Sequence, residues 1–229
     1  MTIPTPDEKL IRACIRGDLT QVKKLVEQGV NVDSRWQSST GLMWAAMENN
    51  AEVVDYLLSQ QADIDLRNDS GYTALMYAAE SDRREMVTKL IDLGADTSGQ
   101  NAYQETVLMM LARHGETDIV EQLIQMGADI SKVNRIGNTA LYLAVENGHL
   151  YTVNSLIRAG ASVNTRNIGN WTPLIMASAR GELEMMSTLI ENGADVSVVN
   201  RQGRTALDEA KDSFRAQSAI ALLKQAGAA

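Results

Sequence analysis

The sequence predicts an all-α solenoid, an array in which helix–turn–helix units stack on one another. The first observation is a threonine that recurs every 33 residues and is always followed two residues later by leucine. The second is a glycine–alanine–aspartate motif, or a close variant, about twenty residues after each of the first five threonines. A fixed period of this length indicates supersecondary units that bury their apolar faces against their neighbours. The threonines are Thr40, Thr73, Thr106, Thr139, Thr172 and Thr205.

Two helices are predicted within each repeat unit. After Thr73, apolar residues recur three and four positions apart in two bursts, the first around Leu75 and Ala78 and the second around Val87 and Leu90. This spacing is typical of helices that hide one face. The glycine–alanine–aspartate motif then marks the end of the second helix, because glycine accepts the left-handed backbone conformation found there.

The first and last units are degenerate. Leu10 and Cys14 belong to a copy that precedes the first threonine, and the final unit opens at Thr205 and ends after a second helix around residues 219–223. Atypical end copies are what a solenoid needs to cover its core. The sequence therefore predicts one domain over residues 1–229 without an internal boundary or linker. Its seven units are placed at residues 5–36, 37–68, 69–101, 102–134, 135–167, 168–200 and 201–229.

The repeated motif resembles the ankyrin repeat, whose pattern runs Gly-x-Thr-Pro-Leu-His-x-Ala-Ala, then Gly-His, an apolar second helix and Gly-Ala-Asp. The resemblance covers nearly the whole chain, about seven repeats including the degenerate end caps. It implies stacked helix–turn–helix units with projecting hairpin connections, and a protein-binding role. In the family, the histidine after Thr-x-Leu forms a hydrogen bond with the threonine hydroxyl. This chain has no histidine at that position, so its threonine hydroxyls must find other hydrogen-bond partners. The residues in its place are Met43, Met76, Met109, Tyr142, Ile175 and Asp208.

The charge of the chain narrows the class of partner. A net charge of −8 and a pI near 4.8 disfavour nucleic acid, whose binders need clustered cations to displace counterions from phosphates. Anionic membrane surfaces are disfavoured for the same reason, and no stretch is apolar enough to span a bilayer. A neutral or basic protein is the expected partner, although a local basic patch near Arg201 and Arg204 stays open.

A non-catalytic chain without cofactor or metal is expected. His149 follows Gly148 where the family carries its Gly-His, which indicates a structural role, and His114 is expected at the surface. No His-x-x-x-His or Cys-x-x-Cys spacing and no glycine-rich phosphate loop occurs. Cys14 takes the position of a core alanine in the family, so we expect a buried small hydrophobe and not a nucleophile.

A single cysteine rules out an intramolecular disulfide and says little about compartment. The cytoplasm is the default expectation, and an exported compartment such as the periplasm is the alternative if a leader was removed. A monomer is expected.

Two sets of residues are candidates for partner binding. Once the core positions are assigned, two sets of positions are left to face solvent. One is a stripe of the first helix, four residues after each threonine, and the other is the connection just before each threonine. In the ankyrin family, residues at these positions contact partners. We call them the palm stripe and the hairpin tips. Both carry large apolar side chains, which dominate protein interfaces. The palm stripe is Trp44, Tyr77, Met110, Leu143 and Met176, and the hairpin tips carry Trp36, Tyr72, Tyr103 and Trp171.

The palm becomes polar further along the first helices, where Arg113 and Arg180 stand among residues of mixed charge. Such residues suit a rim that orients a partner around an apolar centre. An alternative for the palm stripe is that Trp44, Tyr77 and the methionines pack between adjacent helices.

Together these features predict a recognition module that binds a protein partner through palm and hairpin tips, with an inhibitor or self-protection protein covering an enzyme as a specific form. Two other classes remain open. One is a structural scaffold that associates with itself, and the other is a small-ligand-binding or enzymatic protein.

Overall fold

A computed structural model describes residues 4–228, which form fourteen helices and one two-stranded hairpin. The helices follow one another in pairs, so the predicted all-α array of helix–turn–helix units is confirmed. The residues group into two compact units, the first ending at Val107 and the second beginning at Leu108. None of the helices in the described range is both long and apolar enough to cross a membrane.

The first compact unit contains three helix pairs and the hairpin. In the hairpin, β1 and β2 run antiparallel, and Trp36 faces Ser39 across the pair. The elements in chain order are α1 (Pro6–Arg16), α2 (Leu19–Glu27), β1 (Arg35–Trp36), β2 (Ser39–Thr40), α3 (Gly41–Met47), α4 (Ala51–Ser59), α5 (Ala74–Glu80) and α6 (Arg84–Asp92).

The second compact unit continues the helix pairs. Its first helix, α7, begins at the last residue of the first compact unit. The elements are α7 (Val107–His114), α8 (Thr117–Gln125), α9 (Ala140–Glu146), α10 (Leu150–Arg158), α11 (Pro173–Arg180), α12 (Leu183–Glu191), α13 (Ala206–Lys211) and α14 (Ala216–Gln225).

Five of the repeated threonines are N-caps of the first helix of their pair. The side-chain oxygen of each accepts a hydrogen bond from the backbone N–H three residues later, as between Met76 and Thr73 at 3.2 Å. A cap of this kind stabilises a helix by about 1 kcal/mol. The threonine oxygen thus has a partner that does not depend on the family's histidine. The same bond is made by Thr40, Thr139, Thr172 and Thr205.

The turn between paired helices is bonded to the preceding repeat. Asn50 Nδ2 donates to the carbonyl oxygen of Cys14 at 2.8 Å, at the end of α1. In the second compact unit, His149 Nε2 lies 2.9 Å from the carbonyl oxygen of Arg113. Because a carbonyl only accepts, Nε2 carries the proton. Each bond adds a side-chain donor from the next repeat to a carbonyl in the last turn of a helix. The structural role predicted for His149 is confirmed.

An asparagine with the same period organises each later hairpin connection. Asn167 Oδ1, for example, accepts from the backbone N–H groups of Gly169 and Trp171 at 2.9 and 3.0 Å, which folds the loop around the side chain. Asparagine is suited to this role because its short side chain mimics a backbone turn. This series was not predicted, although its period of 33 is visible in the sequence. Its members are Asn68, Asn101, Asn134, Asn167 and Asn200.

Neighbouring hairpin connections within a compact unit are in close contact. In the second unit, Ile168 N donates to Ile136 O and Arg201 N donates to Gly169 O, both at 2.9 Å. A Cβ added at Gly137, where φ is +81°, would stand 2.9 Å from the Cα of Asn167. Only glycine fits this approach, and the two backbone bonds join these connections into one hydrogen-bonded edge.

Candidate functional site

Three predicted aromatic residues meet in the first compact unit. The ring centroid of Tyr77 lies 6.0 Å from that of Trp44 and 5.3 Å from that of Tyr72, with tilted planes. Aromatic pairs favour such separations. Each pair contributes about 0.5–1.5 kcal/mol of stability in addition to that from burying its apolar surface. All three side chains are partly exposed. The structure therefore brings two palm-stripe residues and one hairpin tip into a single group, which we call the aromatic cluster.

Hydrogen bonds fix the centre of this cluster. The Tyr77 hydroxyl shares a hydrogen bond of 3.0 Å with Ser39 Oγ and accepts from Asn68 Nδ2 at 3.0 Å. Its polar end is thereby engaged by two partners within the protein. The indole N–H of Trp44 is buried with no hydrogen-bond partner in the described part of the chain. Ring packing holds Trp44 in place instead.

Two further tip residues lie in the first compact unit. The guanidinium carbon of Arg12 stands 5.5 Å from the ring centroid of Trp36, a cation–π contact. Tyr103 has 51% of its surface exposed, and its backbone N–H donates to Asn101 Oδ1 at 2.8 Å. The tip backbone is thus held in place beneath an exposed ring.

The palm stripe is not uniformly exposed, which corrects the sequence prediction. Met110 is fully buried and Leu143 is 3% exposed, so neither offers surface to a partner. Tyr77, in this register, contacts the hairpin connection through the bond from Asn68 Nδ2 to its hydroxyl. Trp44, Tyr77 and Met176 are partly exposed in the same register, whereas Met110 and Leu143 are buried. For Met110 and Leu143, the alternative of packing in the core holds.

The remaining predicted residues belong to the second compact unit. Met176 is partly exposed on α11, and Arg180 at the end of that helix forms an ion pair with Glu182 at 2.6 Å. Trp171 lies against Gly169, where an added Cβ would be 3.0 Å from the indole Cδ1. Arg113 is partly exposed, and its carbonyl holds His149.

Cys14 is not a reactive group. The residue is fully buried, and burial raises the pKa of its thiol to about 12. The thiolate, which is the nucleophilic form, is therefore scarce at neutral pH. The expected small buried hydrophobe is confirmed. Among residues 4–228, no group of three or more histidine, cysteine, aspartate or glutamate side chains is placed to hold a metal ion.

The helix pairs, threonine caps and bonded hairpin connections define a helical repeat protein. A family model described as "Ankyrin repeats (3 copies)" matches residues 10–101 and 93–167, and one described as "Ankyrin repeats (many copies)" matches residues 156–210. The chain belongs to the ankyrin repeat family. Ankyrin repeats are generally protein–protein interaction modules and are typically non-catalytic.

Known proteins agree with this assignment. The chain is similar to the human ASB11 ankyrin repeat domain, with a TM-score of 0.80, 26% identity, and coverage of 93% of this chain and 96% of that one. It is 41% identical over 66 residues to human ankyrin repeat domain-containing protein 40, a match to 28% of this chain and 18% of that protein. It is 47% identical over 60 residues to palmitoyltransferase AKR1 of Saccharomyces cerevisiae, a match to 24% of this chain and 8% of the enzyme. The chain spans less than a fifth of the length of these curated relatives.

Proposed function

We propose that this chain binds a protein partner through the aromatic cluster and the neighbouring tip residues Trp36 and Tyr103, and acts by covering or tethering that partner. The form we favour is an inhibitor that covers the active site of an enzyme. In the second compact unit, the proposed contacts are made by Arg113, Trp171, Met176 and Arg180.

The observation that carries this proposal is the group of partly exposed aromatic rings in the first compact unit. Large rings with one polar end account for many binding hot spots. Tyr77 is already fixed by two hydrogen bonds and two ring contacts, so a partner would spend little free energy on ordering it.

Charge supports a neutral or basic partner for this surface. The connection over residues 61–73 carries Asp63, Asp65 and Asp69 against Arg67, a net charge of −2. The connection over residues 94–106 carries one aspartate and one glutamate, also −2. Complementary charge on a partner increases the association rate and selects against acidic competitors.

The test is affinity capture from an extract of the source organism, followed by titration of the purified partner against three forms of this chain. The forms are wild type, the double variant Tyr72→Ala/Tyr103→Ala, and Tyr151→Ala as the matched control. Tyr151 is 82% exposed on α10, so the control removes an equally large exposed ring elsewhere. Thermal melting shows first that all three are folded.

We expect the double variant to bind at least about tenfold more weakly than wild type, because hot-spot truncations each cost about 1–2 kcal/mol or more. The control should bind as wild type does. Equal affinity of all three forms would refute the proposed surface. If the captured partner is an enzyme, loss of its activity on addition of the wild-type chain identifies inhibition, and full activity in the complex identifies tethering.

A further inference from the structure

The hairpin connections of the second compact unit expose two rows of side chains. One row lies just before the repeated asparagines and the other just after them. Within each row, successive members are 33 residues apart, and aliphatic and arginine side chains alternate. The apolar members are 43–55% exposed, and the arginines are exposed as well. The first row is Val133, Arg166 and Val199, and the second is Arg135, Ile168 and Arg201.

The alternation runs across the rows as well as along them. Each asparagine is flanked by one aliphatic residue and one arginine, and their order reverses from one connection to the next. The flanking pairs are Val133 and Arg135, then Arg166 and Ile168, then Val199 and Arg201. The backbone bonds from Ile168 to Ile136 and from Arg201 to Gly169 join the three connections side by side. A fixed checkerboard of apolar and cationic positions results, which we call the checkerboard edge.

The charge of this edge is opposite to that of the whole chain. The connections over residues 127–139, 160–172 and 193–205 each carry a net charge of +1, although the chain as a whole carries −8. Arg204 is engaged with Glu209 at 2.9 Å and with Asp212, so its charge is used within the protein. Arg166 and Arg201 supply two of the cationic positions, and they stand exposed in the middle and at one end of the edge.

We propose that the checkerboard edge binds an extended polypeptide segment in which pairs of acidic residues alternate with pairs of aliphatic residues, so that one face of the segment presents both kinds in turn. The carboxylates would pair with the arginines, and the aliphatic side chains would cover Val133, Ile168 and Val199. Burying partly exposed aliphatic side chains against a partner stabilises the complex, because it removes apolar surface from water. Arginine suits this role because its planar guanidinium binds a carboxylate through two parallel hydrogen bonds.

Nucleic acid fits this edge poorly. A phosphate backbone has no apolar groups to cover the aliphatic positions, and Asp129 and Asp195 stand in two of the same connections. A nucleic-acid surface needs clustered cations without such interruption. The checkerboard edge contains no residue of the aromatic cluster. It favours an acidic partner, whereas the aromatic cluster favours a neutral or basic one, so the two proposals are independent.

The test uses the full chain and a fluorescein-labelled peptide that repeats Glu-Glu-Leu-Leu, with fluorescence anisotropy as the readout. The binding variants are Arg166→Glu/Arg201→Glu and Ile168→Ser. The control is Arg158→Glu, which makes one such charge reversal, half the change of the double variant, at an exposed position at the end of α10. A peptide that repeats Glu-Glu-Ser-Ser tests the apolar contribution, and circular dichroism verifies that every variant is folded.

We expect the double charge reversal to weaken peptide binding about tenfold or more, and the control to leave it unchanged. Ile168→Ser and the serine peptide should each weaken binding several-fold. Raising salt to about 0.3 M should weaken it further, since exposed pairs are screened. Absence of peptide binding by wild type, or equal binding by the double variant, would overturn the proposal. Tighter binding of a DNA duplex or an anionic lipid vesicle, lost in the same variant, would overturn it in favour of a phosphate ligand.

Discussion

Replacing Asn68 by alanine tests the role of the asparagine series in both the fold and the aromatic cluster. Its Oδ1 accepts from the backbone N–H groups of Ser70 and Tyr72 at 3.0 and 2.9 Å. Its Nδ2 donates to Ser39 Oγ at 3.2 Å and to Tyr77 Oη at 3.0 Å. The substitution removes all four bonds and leaves their partners in a partly buried loop.

The magnitude follows from these bonds. A typical hydrogen bond contributes about 0.5–1.5 kcal/mol net, and a group left unsatisfied costs more. Because Asn68 is only partly buried, water replaces some of the lost bonds. We therefore expect Asn68→Ala to lower the free energy of unfolding by about 2–4 kcal/mol, a large share of the 5–15 kcal/mol that is usual for a folded protein.

Urea denaturation followed by tryptophan fluorescence measures this loss. Asn192→Ala is the matched control, because Asn192 is exposed and donates a single side-chain hydrogen bond, to Thr188 O at 2.8 Å. The control should lose less than about 0.5 kcal/mol. Equal losses for the two variants would refute the structural role of the series.

A double-mutant cycle separates the tyrosine contact from the loop bonds. Tyr77→Phe removes only the hydroxyl that Asn68 Nδ2 bonds, so the two substitutions together should cost less than their sum, by about 0.5–1.5 kcal/mol. Strict additivity would show that this contact contributes nothing to stability.

Three further predictions concern single residues. Cys14 in the native chain should resist iodoacetamide at about pH 8 and react on unfolding, because its pKa is raised to about 12 by burial; labelling of the native chain at the rate of a free thiol would contradict this. Gly137→Ala should destabilise the chain by about 2 kcal/mol more than Gly160→Ala in urea denaturation. Both positions have positive φ, but only at Gly137 does the new Cβ meet the backbone of the next hairpin; equal losses would refute that contact. Asp208→Asn should lower the melting temperature above about pH 4 and progressively less at lower pH, since the bond from Lys211 holds the pKa of the Asp208 carboxyl well below its usual value; a difference that does not change with pH would count against that pairing.

Local signals in the sequence predicted most of the fold. The threonine period set the start of each first helix from Thr40 onward, because an N-cap and the apolar positions behind it act within a few residues of chain. The role of His149 was predictable from its place in the motif. The asparagine series was equally visible as a period of 33, but without the loop geometry nothing marked those side chains as acceptors for two backbone N–H groups each.

The candidate site was less predictable, because exposure depends on neighbouring repeats. The same register holds Tyr77 in the partly exposed aromatic cluster and Met110 in the core, and the sequence pattern treats the two alike. Helix periodicity gives the face on which a side chain lies, but it does not say whether a hairpin connection covers that face.

The sequence by itself determined the family, the helix pairs and the N-caps, since these arise from contacts that repeat with the chain's own period. Only the tertiary structure decided which side chains of the palm stripe reach solvent, and that aliphatic and arginine residues 33 positions apart form one edge. The physical reason is that stacking brings distant residues side by side. Their burial, ring contacts and combined charge are properties of that neighbourhood and not of any one repeat.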